Sequence, residues 1–555
     1  MKLTNLRSAA SLIVEALEQN GIERIFCVPG ESYLALLNAL YDSTIPVTVC
    51  RQEGGAAMMA EAWGKLTGKP GIAMVTRGPG ATNGSAGLHV ARQDSTPMIM
   101  FVGQVGRSMR GREAFQEIDF TKMFGEVAKW VFEIDQADRV PEILNRAFYE
   151  ATSGRPGPVV IVLPEDMLRE MTAAENSQPW VQVETHPGPN QIGQLKEMLS
   201  AAKRPIAILG GSRWSEAAVA GIKRFAERFD LAVTCSFRRQ MLFDHDHANY
   251  AGDVGIAINP KLAARIREAD VLLLIGGRMS ELQSSSYTLI DIPEPKQALV
   301  HVHAEPEELG RLYRPTLAIN ASPTDFVAAL EDVEPPRMIS WSDDTRQARA
   351  DYLAWIVPVA HPGAVQFAEI VDWLNNRLPA DSIIAIGAGN FSGWVNRFAR
   401  FRRYNTQVAP TSGSMGYSTP AAIAAKLRFP NRAVVGFAGD GCFQMSSQEL
   451  ATAIQYDVAI VMIVIDNARY GTIRMHQERD FPDRVIATEI VGPDFVAFAR
   501  SFGAYGERVE TTDQFAPAFE RAVGSGKPSL LHVILDPEAS TAAKTLSEIR
   551  GTGTR

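Results

Sequence analysis

One stretch, residues 433–477, reads AVVGFAGDGCFQMSSQELATAIQYDVAIVMIVIDNARYGTIRMHQ and restricts the fold more than any other. Two runs rich in Val and Ile, 434–438 and 458–465, are each too short for a helix and read as buried strands. Gly439-Asp440-Gly441 ends the first run and Asp466-Asn467 ends the second. Between them 446–456 reads as a helix, with Ser446 or Ser447 as N-cap and Leu450, Ala453 and Ile454 on one face. A right-handed crossover then sets the two strands side by side and parallel. Asp440 and Asn467 meet at the carboxyl ends of neighbouring strands, where open α/β sheets bind ligands.

A carboxylate, an amide oxygen and a free backbone carbonyl make a hard-oxygen set for Mg²⁺, which fills its octahedron with phosphate oxygens and water. Gly441 lets the backbone approach a phosphate, and the helix start beyond it offers free N–H groups. The residues alone thus suggest a metal–diphosphate site. The plain alternative is a sheet edge with Gly and Asp as turn residues. A GDG followed after 25 residues by Asn at the next strand end is more specific than a lone GDG. The stretch resembles the GDG…N signature of the thiamin-diphosphate superfamily of acetolactate synthase and pyruvate oxidase. The resemblance implies that Asp440, Asn467 and the main-chain carbonyl of Arg469 hold Mg²⁺. Gly439, Gly441, Cys442, Tyr470, Gly471 and Thr472 would surround the cofactor.

The chain, at 555 residues, exceeds a single core and suggests three to four domains. A net charge of −8 gives no electrostatic footprint for nucleic acid and no polybasic membrane patch. Four scattered cysteines (Cys27, Cys50, Cys235, Cys442) without a CxxC fit buried thiols in a reducing cytoplasm. Neither a signal peptide nor an apolar membrane span is expected.

In the first third, apolar runs at 24–28, 47–50, 71–76 and 98–102 alternate with helical patterns at 8–20, 33–41, from about 56, and to about 92. That alternation predicts a doubly wound parallel sheet. Glu53 alone would be a helix-entry charge. Its context, RQEGGAAMMAEAWGKLTGKPGIAMVTRGPGATN, resembles the superfamily's pyrimidine-binding domain. There the matching Glu hydrogen-bonds the aminopyrimidine and promotes the imino tautomer that removes the thiazolium C2 proton. Pro79 and Asn83 match pocket-lining positions. Phe115 and Gln116 match residues near the reacting ring, and Lys129 matches a lysine whose role stays open against a solvated helix face. Glu31 departs from acetolactate synthases, which have a small residue there. A carboxylate at that point would repel a keto-acid carboxylate or act in proton transfer.

The polar segment 172–190 reads as a linker, followed by strands at 205–209, 231–234 and 271–275 and helices at 215–229 and 261–269. This second α/β unit resembles the family's central domain, which in several relatives holds FAD or ADP. Gly252-Asp253-Val254-Gly255 and Met279-Ser280-Glu281-Leu282 replace the segments that accompany flavin and an acceptor-binding arginine, leaving Arg278 as a phosphate contact. His301 and His303 share a strand face, and His245 and His247 share a loop; structural roles are expected for both pairs, because neither has a third ligand at metal spacing.

A second linker is expected at 333–345, then a helix at 365–377 and a strand at 382–387. Gly389, Asn390 and Phe391 follow where family members bind diphosphate through backbone N–H groups. Ser412–Tyr417 and the helix 420–426 resemble the element that wedges a bulky residue between the cofactor's two rings. Met415 takes that role, and the Gly413 carbonyl accepts from the pyrimidine amino group. His476 aligns where acetolactate synthases select the acceptor; a substrate contact and a surface histidine stay open. Residues 540–555 read as a loose tail or a flap.

The expected architecture is α/β with three doubly wound parallel-sheet domains: 1–172 for the pyrimidine, 190–332 central, 360–540 for the diphosphate, and a tail at 541–555. The resemblance implies decarboxylation and carboligation of a 2-oxo acid with thiamin diphosphate and Mg²⁺. It also implies a homodimer or homotetramer with sites at the dimer interface. A C–C lyase or simple decarboxylase acting on a 2-oxo acid or 2-hydroxyacyl-CoA is the alternative within the class. A non-catalytic nucleotide-binding homologue is the alternative outside it.

Overall fold

The computed structural model describes residues 6–553. Three six-stranded sheets, each parallel throughout, carry helices on their faces. Their inner strands are short, apolar and buried on both faces, as a parallel sheet under two helix layers requires, whereas edge strands such as Trp130–Glu133 are only half-buried. The expectation of three doubly wound domains is met.

The N-terminal sheet runs, in spatial order, Val47–Val49, Ile25–Cys27, Gly71–Val75, Met98–Gln104, Pro158–Pro164, Trp130–Glu133. The C-terminal sheet repeats that order with Gln407–Val408, Ile383–Ile386, Val434–Gly439, Val461–Asp466, Ser529–Ile534, Tyr505–Val509. Numbered by sequence within each domain, both read 2-1-3-4-6-5. The central sheet reads 3-2-1-4-5-6, with Pro205–Leu209 beside Val271–Ile275 at its switch point. Arg7–Ser8 pairs antiparallel with Met171–Thr172 and ties the two ends of the first domain together.

The N- and C-terminal domains pack on each other within one chain. Helix Glu53–Thr67 lies against helix Ser418–Arg428, and Ala56, Ala60, Ala421 and Ala425 share one apolar cluster. Small side chains allow the two backbones to approach closely.

Several boundaries differ from expectation. The single helix at 446–456 is a 3₁₀ turn, Ser447–Glu449, followed by Leu450–Gln455, and a further short helix, Asp440–Gln444, starts at the GDG itself. Strand Val461–Asp466 begins three residues late because 458–460 turns back on itself, Ile460 N–H donating to the Val458 carbonyl. Helix Glu53–Thr67 starts at Glu53 rather than near Ala56, since the Gln52 side chain accepts from Gly55 N–H and caps it. The second linker is shorter: helix Ser342–Trp355 begins inside it, and Trp341 and Tyr352 enter the central core. Alternating charges and few apolar residues hid that helix in the sequence.

Candidate functional site

A cavity of about 250 Å³ opens at the carboxyl end of the C-terminal sheet. Segments 388–391, 439–442 and 469–473 line it, with Gly413, Met415 and Asn467. Every candidate from the last third except His476 is therefore brought together. Asp440 follows strand Val434–Gly439 and Asn467 follows strand Val461–Asp466; the pairing Gly439↔Ile465 sets them at adjacent strand ends. Helices Phe391–Phe398 and Gly471–Asp480 both begin at the wall and direct the positive ends of their dipoles toward an anion. Gly389, at φ +143°, takes the backbone into the Phe391 helix by a route barred to side chains. Thr472 Oγ donates to Asn390 Oδ1 (2.9 Å), which joins the two helix starts.

Asp440 is buried. Its Oδ1 accepts from Gly441 N–H (2.8 Å), while Oδ2 has no hydrogen-bond partner. Burial, and then the neighbouring Asp466 carboxylate, push the Asp440 pKa up to about 7. Burial also opposes ionisation of Asp466, yet His532 Nε2 (2.7 Å), the Ala468 N–H and Asp440 more than offset it and hold Asp466 below the usual range. Among the described residues the Arg469 carbonyl accepts no backbone hydrogen bond. An orphaned carboxylate oxygen beside an amide and a free carbonyl fits a divalent cation carrying a diphosphate. No group of three His, Cys, Asp or Glu elsewhere among the described residues could hold a metal.

The first-third candidates form a second cluster. Glu53, first residue of its helix, accepts from Asn83 Nδ2 (3.0 Å). Pro79 opens helix Pro79–Asp94, and a side chain at Gly80 would meet Glu53 Oε1 at 3.1 Å. A side chain at Gly78 would strike Gln116 at 2.7 Å, so the Gln116 loop lies on this turn. Glu31 ion-pairs with Arg77 (3.1 Å) at the same sheet end. None of Glu31, Glu53, Pro79, Asn83 and Gln116 lines the C-terminal cavity of its own chain.

His476, on helix Gly471–Asp480, is exposed and is not among the residues that line the cavity. Lys129 is directed to the Ser153 carbonyl (2.7 Å) and is not part of the cluster. The structural reading of the histidines agrees with their surroundings. His301 Nε2 bonds the Gly277 carbonyl (3.0 Å), and burial lowers His303 to about 4. His245 Nε2 bonds the Gln240 carbonyl (3.1 Å), and His247 Nε2 pairs with Glu227 (2.9 Å).

Two residues escaped the sequence reading. Glu449 is fully buried between the domains and accepts from Arg51 and Gln52 N–H (3.1 Å each) and Thr452 Oγ (2.6 Å); burial raises its pKa. A charge in an apolar helix face was the only available signal. Ser540 accepts from Asn390 Nδ2 (2.9 Å), and beyond it Arg550 pairs with Glu478 (2.8 Å). Residues 540–553 therefore fold against helix Gly471–Asp480 as a flap; 554 and 555 lie outside the described residues.

The central crevice lies at the switch point where sheets of this order take dinucleotides. It holds a cavity of about 260 Å³, faced by Gly211, Ser212, Arg213 and Arg239, and a smaller one beside Arg155 and Arg278. Arg155 is paired with Glu308 (3.1 Å), Arg278 donates to the Gln93 carbonyl (3.0 Å), and Arg213 pairs with Glu184 (2.7 Å). Arg239 donates to the Gly211 (2.8 Å) and Asp94 (2.9 Å) carbonyls, so all four arginines already have protein partners.

Two residue clusters lie on domains of one topology: one lines a cavity whose donor set fits a metal-bound diphosphate, and the other sets Glu53 and Asn83 at the carboxyl end of its sheet. The chain belongs to the thiamine pyrophosphate enzymes: the N-terminal TPP-binding domain model matches residues 7–123, the central domain model 192–330 and the C-terminal TPP-binding domain model 387–533. It is 30% identical to the acetolactate synthase isozyme 2 large subunit of Escherichia coli, over 95% of this chain and 96% of that protein. Identity to the probable acetolactate synthase large subunit of Methanocaldococcus jannaschii is also 30%, over 95% and 92%. For the acetolactate synthase large subunit of Lactococcus lactis it is 29%, over 96% and 94%. The chain is thus a thiamin-diphosphate-dependent enzyme, which sets aside the non-catalytic alternative. No helix among the described residues is long and apolar enough to cross a membrane.

Proposed function

We propose that the chain decarboxylates a 2-oxo acid and joins the remaining acyl unit to a second carbonyl compound, using Mg²⁺ and thiamin diphosphate in sites built from two copies of itself. The observation that carries this reading is the division of the candidate residues into two clusters that one chain does not bring together. A second copy supplies the missing half of each.

When bound, thiamin diphosphate supplies a carbon nucleophile and an electron sink. Asp440, Asn467 and the Arg469 carbonyl would hold the metal, and the two helix starts the phosphates. Met415, half-buried against the core, props the cofactor rings. Glu53, steadied by Asn83, would exchange a proton with a pyrimidine ring nitrogen of the cofactor held by the partner copy. Gln116 faces the substrate, and the 540–553 flap keeps water out. The chain's place is the cytoplasm, with a small 2-oxo acid or acyl compound as partner and neither nucleic acid nor membrane.

Mixing two inactive variants tests the two-chain site. Glu53→Gln and Asp440→Asn, refolded together, leave one intact site per mixed dimer and should recover about a quarter of wild-type activity. Recovery of none would overturn the shared site. A simple decarboxylase or C–C lyase is the second reading, favoured by the exposed carboxylate of Glu31 at the carboxyl end of the N-terminal sheet; release of aldehyde without ligated product from a 2-oxo acid would select it. A visible absorption spectrum decides whether the central crevice carries FAD, and nucleotide analysis of the denatured protein decides ADP.

A further inference from the structure

Arg77 has no part in the roles above, yet it joins three of the segments that carry them. It follows strand Gly71–Val75, is 7% exposed, and donates from Nε to the Phe115 carbonyl (3.2 Å). One terminal nitrogen reaches Glu165 (3.3 Å) and the other reaches Glu31 (3.1 Å). The turn bearing Glu31 is locked in place: Ser32, fully buried, bonds Thr76 Oγ (2.8 Å) and accepts from Arg77 N–H (3.4 Å). Glu31 itself is 67% exposed, and only its Oε1 has a protein partner.

The guanidinium is therefore satisfied by two carboxylates and a carbonyl and has no spare charge for a substrate anion. What it presents at this sheet end is a carboxylate positioned through Oε1, with Oε2 free to accept a hydrogen bond. Such a group repels a carboxylate. A substrate ammonium would meet the Arg77 charge 3.1 Å from the same oxygen pair. A neutral hydroxyl is the donor that suits it. We propose that Glu31, positioned by Arg77, determines specificity by accepting a hydrogen bond from a hydroxyl next to the reacting carbonyl, so that the substrates include a hydroxylated 2-oxo acid or hydroxyaldehyde. This rests on the carboligase reading above.

The experiment uses the wild-type holoenzyme with matched pairs: 3-hydroxypyruvate against pyruvate as donor, and glycolaldehyde against acetaldehyde as acceptor. Thiamin diphosphate binding is measured calorimetrically in parallel. In at least one pair the wild type should favour the hydroxylated member by about tenfold or more in kcat/KM. Glu31→Ala should bring that ratio close to one, and Arg77→Lys should lower it in part, mainly through KM. The ratio is the readout because a general folding defect lowers both members of a pair alike. A wild type that binds cofactor and turns over but shows no preference, or a preference that Glu31→Ala leaves intact, overturns the proposal. Failure of the wild type to bind thiamin diphosphate would instead bring down the reading on which it rests.

Discussion

The N- and C-terminal domains thread six parallel strands in the same order, yet the loops at equivalent strand ends carry opposite chemistry. After the first strand the N-terminal domain places Glu31, and the C-terminal domain places Gly389 and Asn390. After the third it places Arg77 and Pro79, where the other has Asp440 and Gly441. Topology fixes where a site forms, at the carboxyl edge of the sheet; the few residues beyond each strand decide what it does there. One domain spends its loops on glycines and helix starts that accept an anion. Its counterpart ties its loops together with side-chain hydrogen bonds and holds carboxylates outward.

The comparison breaks if either domain can do the other's work. The largest effect is expected for Glu53→Gln: kcat falls on the order of a hundredfold to ten-thousandfold while calorimetric cofactor affinity stays at the wild-type value. Loss of both together would place Glu53 in binding instead. Asp440→Asn should do the converse, weakening Mg²⁺–thiamin diphosphate binding by roughly a hundredfold, because it removes the one charged ligand of the set.

The titration of Asp440 sharpens the contrast further. Its carboxyl is held at about 7 in the folded chain, against an ordinary 3.8, so Mg²⁺ must displace a proton below that value. Affinity should drop about tenfold per pH unit below 7 and level off above it, with proton release detectable in buffers of different ionisation enthalpy; a flat profile contradicts this. The sign for stability follows: a carboxyl whose folded pKa is raised favours folding below its unfolded value and loses that contribution as pH rises through 7. Metal-free Asp440→Asn should therefore gain on the wild type in thermal melts between pH 4 and 8.

The smallest effect is expected where the two domains touch. Glu449→Gln keeps the shape but not the charge that receives two N–H groups at the start of the Glu53 helix, and should cost about 1–2 kcal/mol in denaturant unfolding. No loss would mean that the helix start is held by Gln52 alone.

What was legible early was what a short window of chain can encode. Alternating apolar runs gave the three sheets, since a parallel strand buried on both faces must be apolar throughout. The spacing from Gly441 to Asn467 put Asp440 and Asn467 at adjacent strand ends, since one crossover brings consecutive strand ends together. Helix Ser342–Trp355 was not legible, because its buried face is narrow and its charges conceal the period. Nor was the burial of Glu449, which depends on a helix almost four hundred residues earlier in the chain.

By itself the sequence determined the fold class, through its resemblance the cofactor family, and most residues that line the C-terminal cavity, because these follow from local pattern, short motifs and strand ends a single crossover apart. Only the tertiary structure decided that Arg77 holds Glu31, that Ser540 reaches Asn390 and Arg550 packs on the Gly471 helix, that His476 is exposed and not among the cavity's lining residues, and that Glu53 and Asp440 occupy separate clusters. Those facts depend on contacts between distant segments, and on the direction in which a helix or a turn points a side chain, and neither is encoded in any short stretch of the chain.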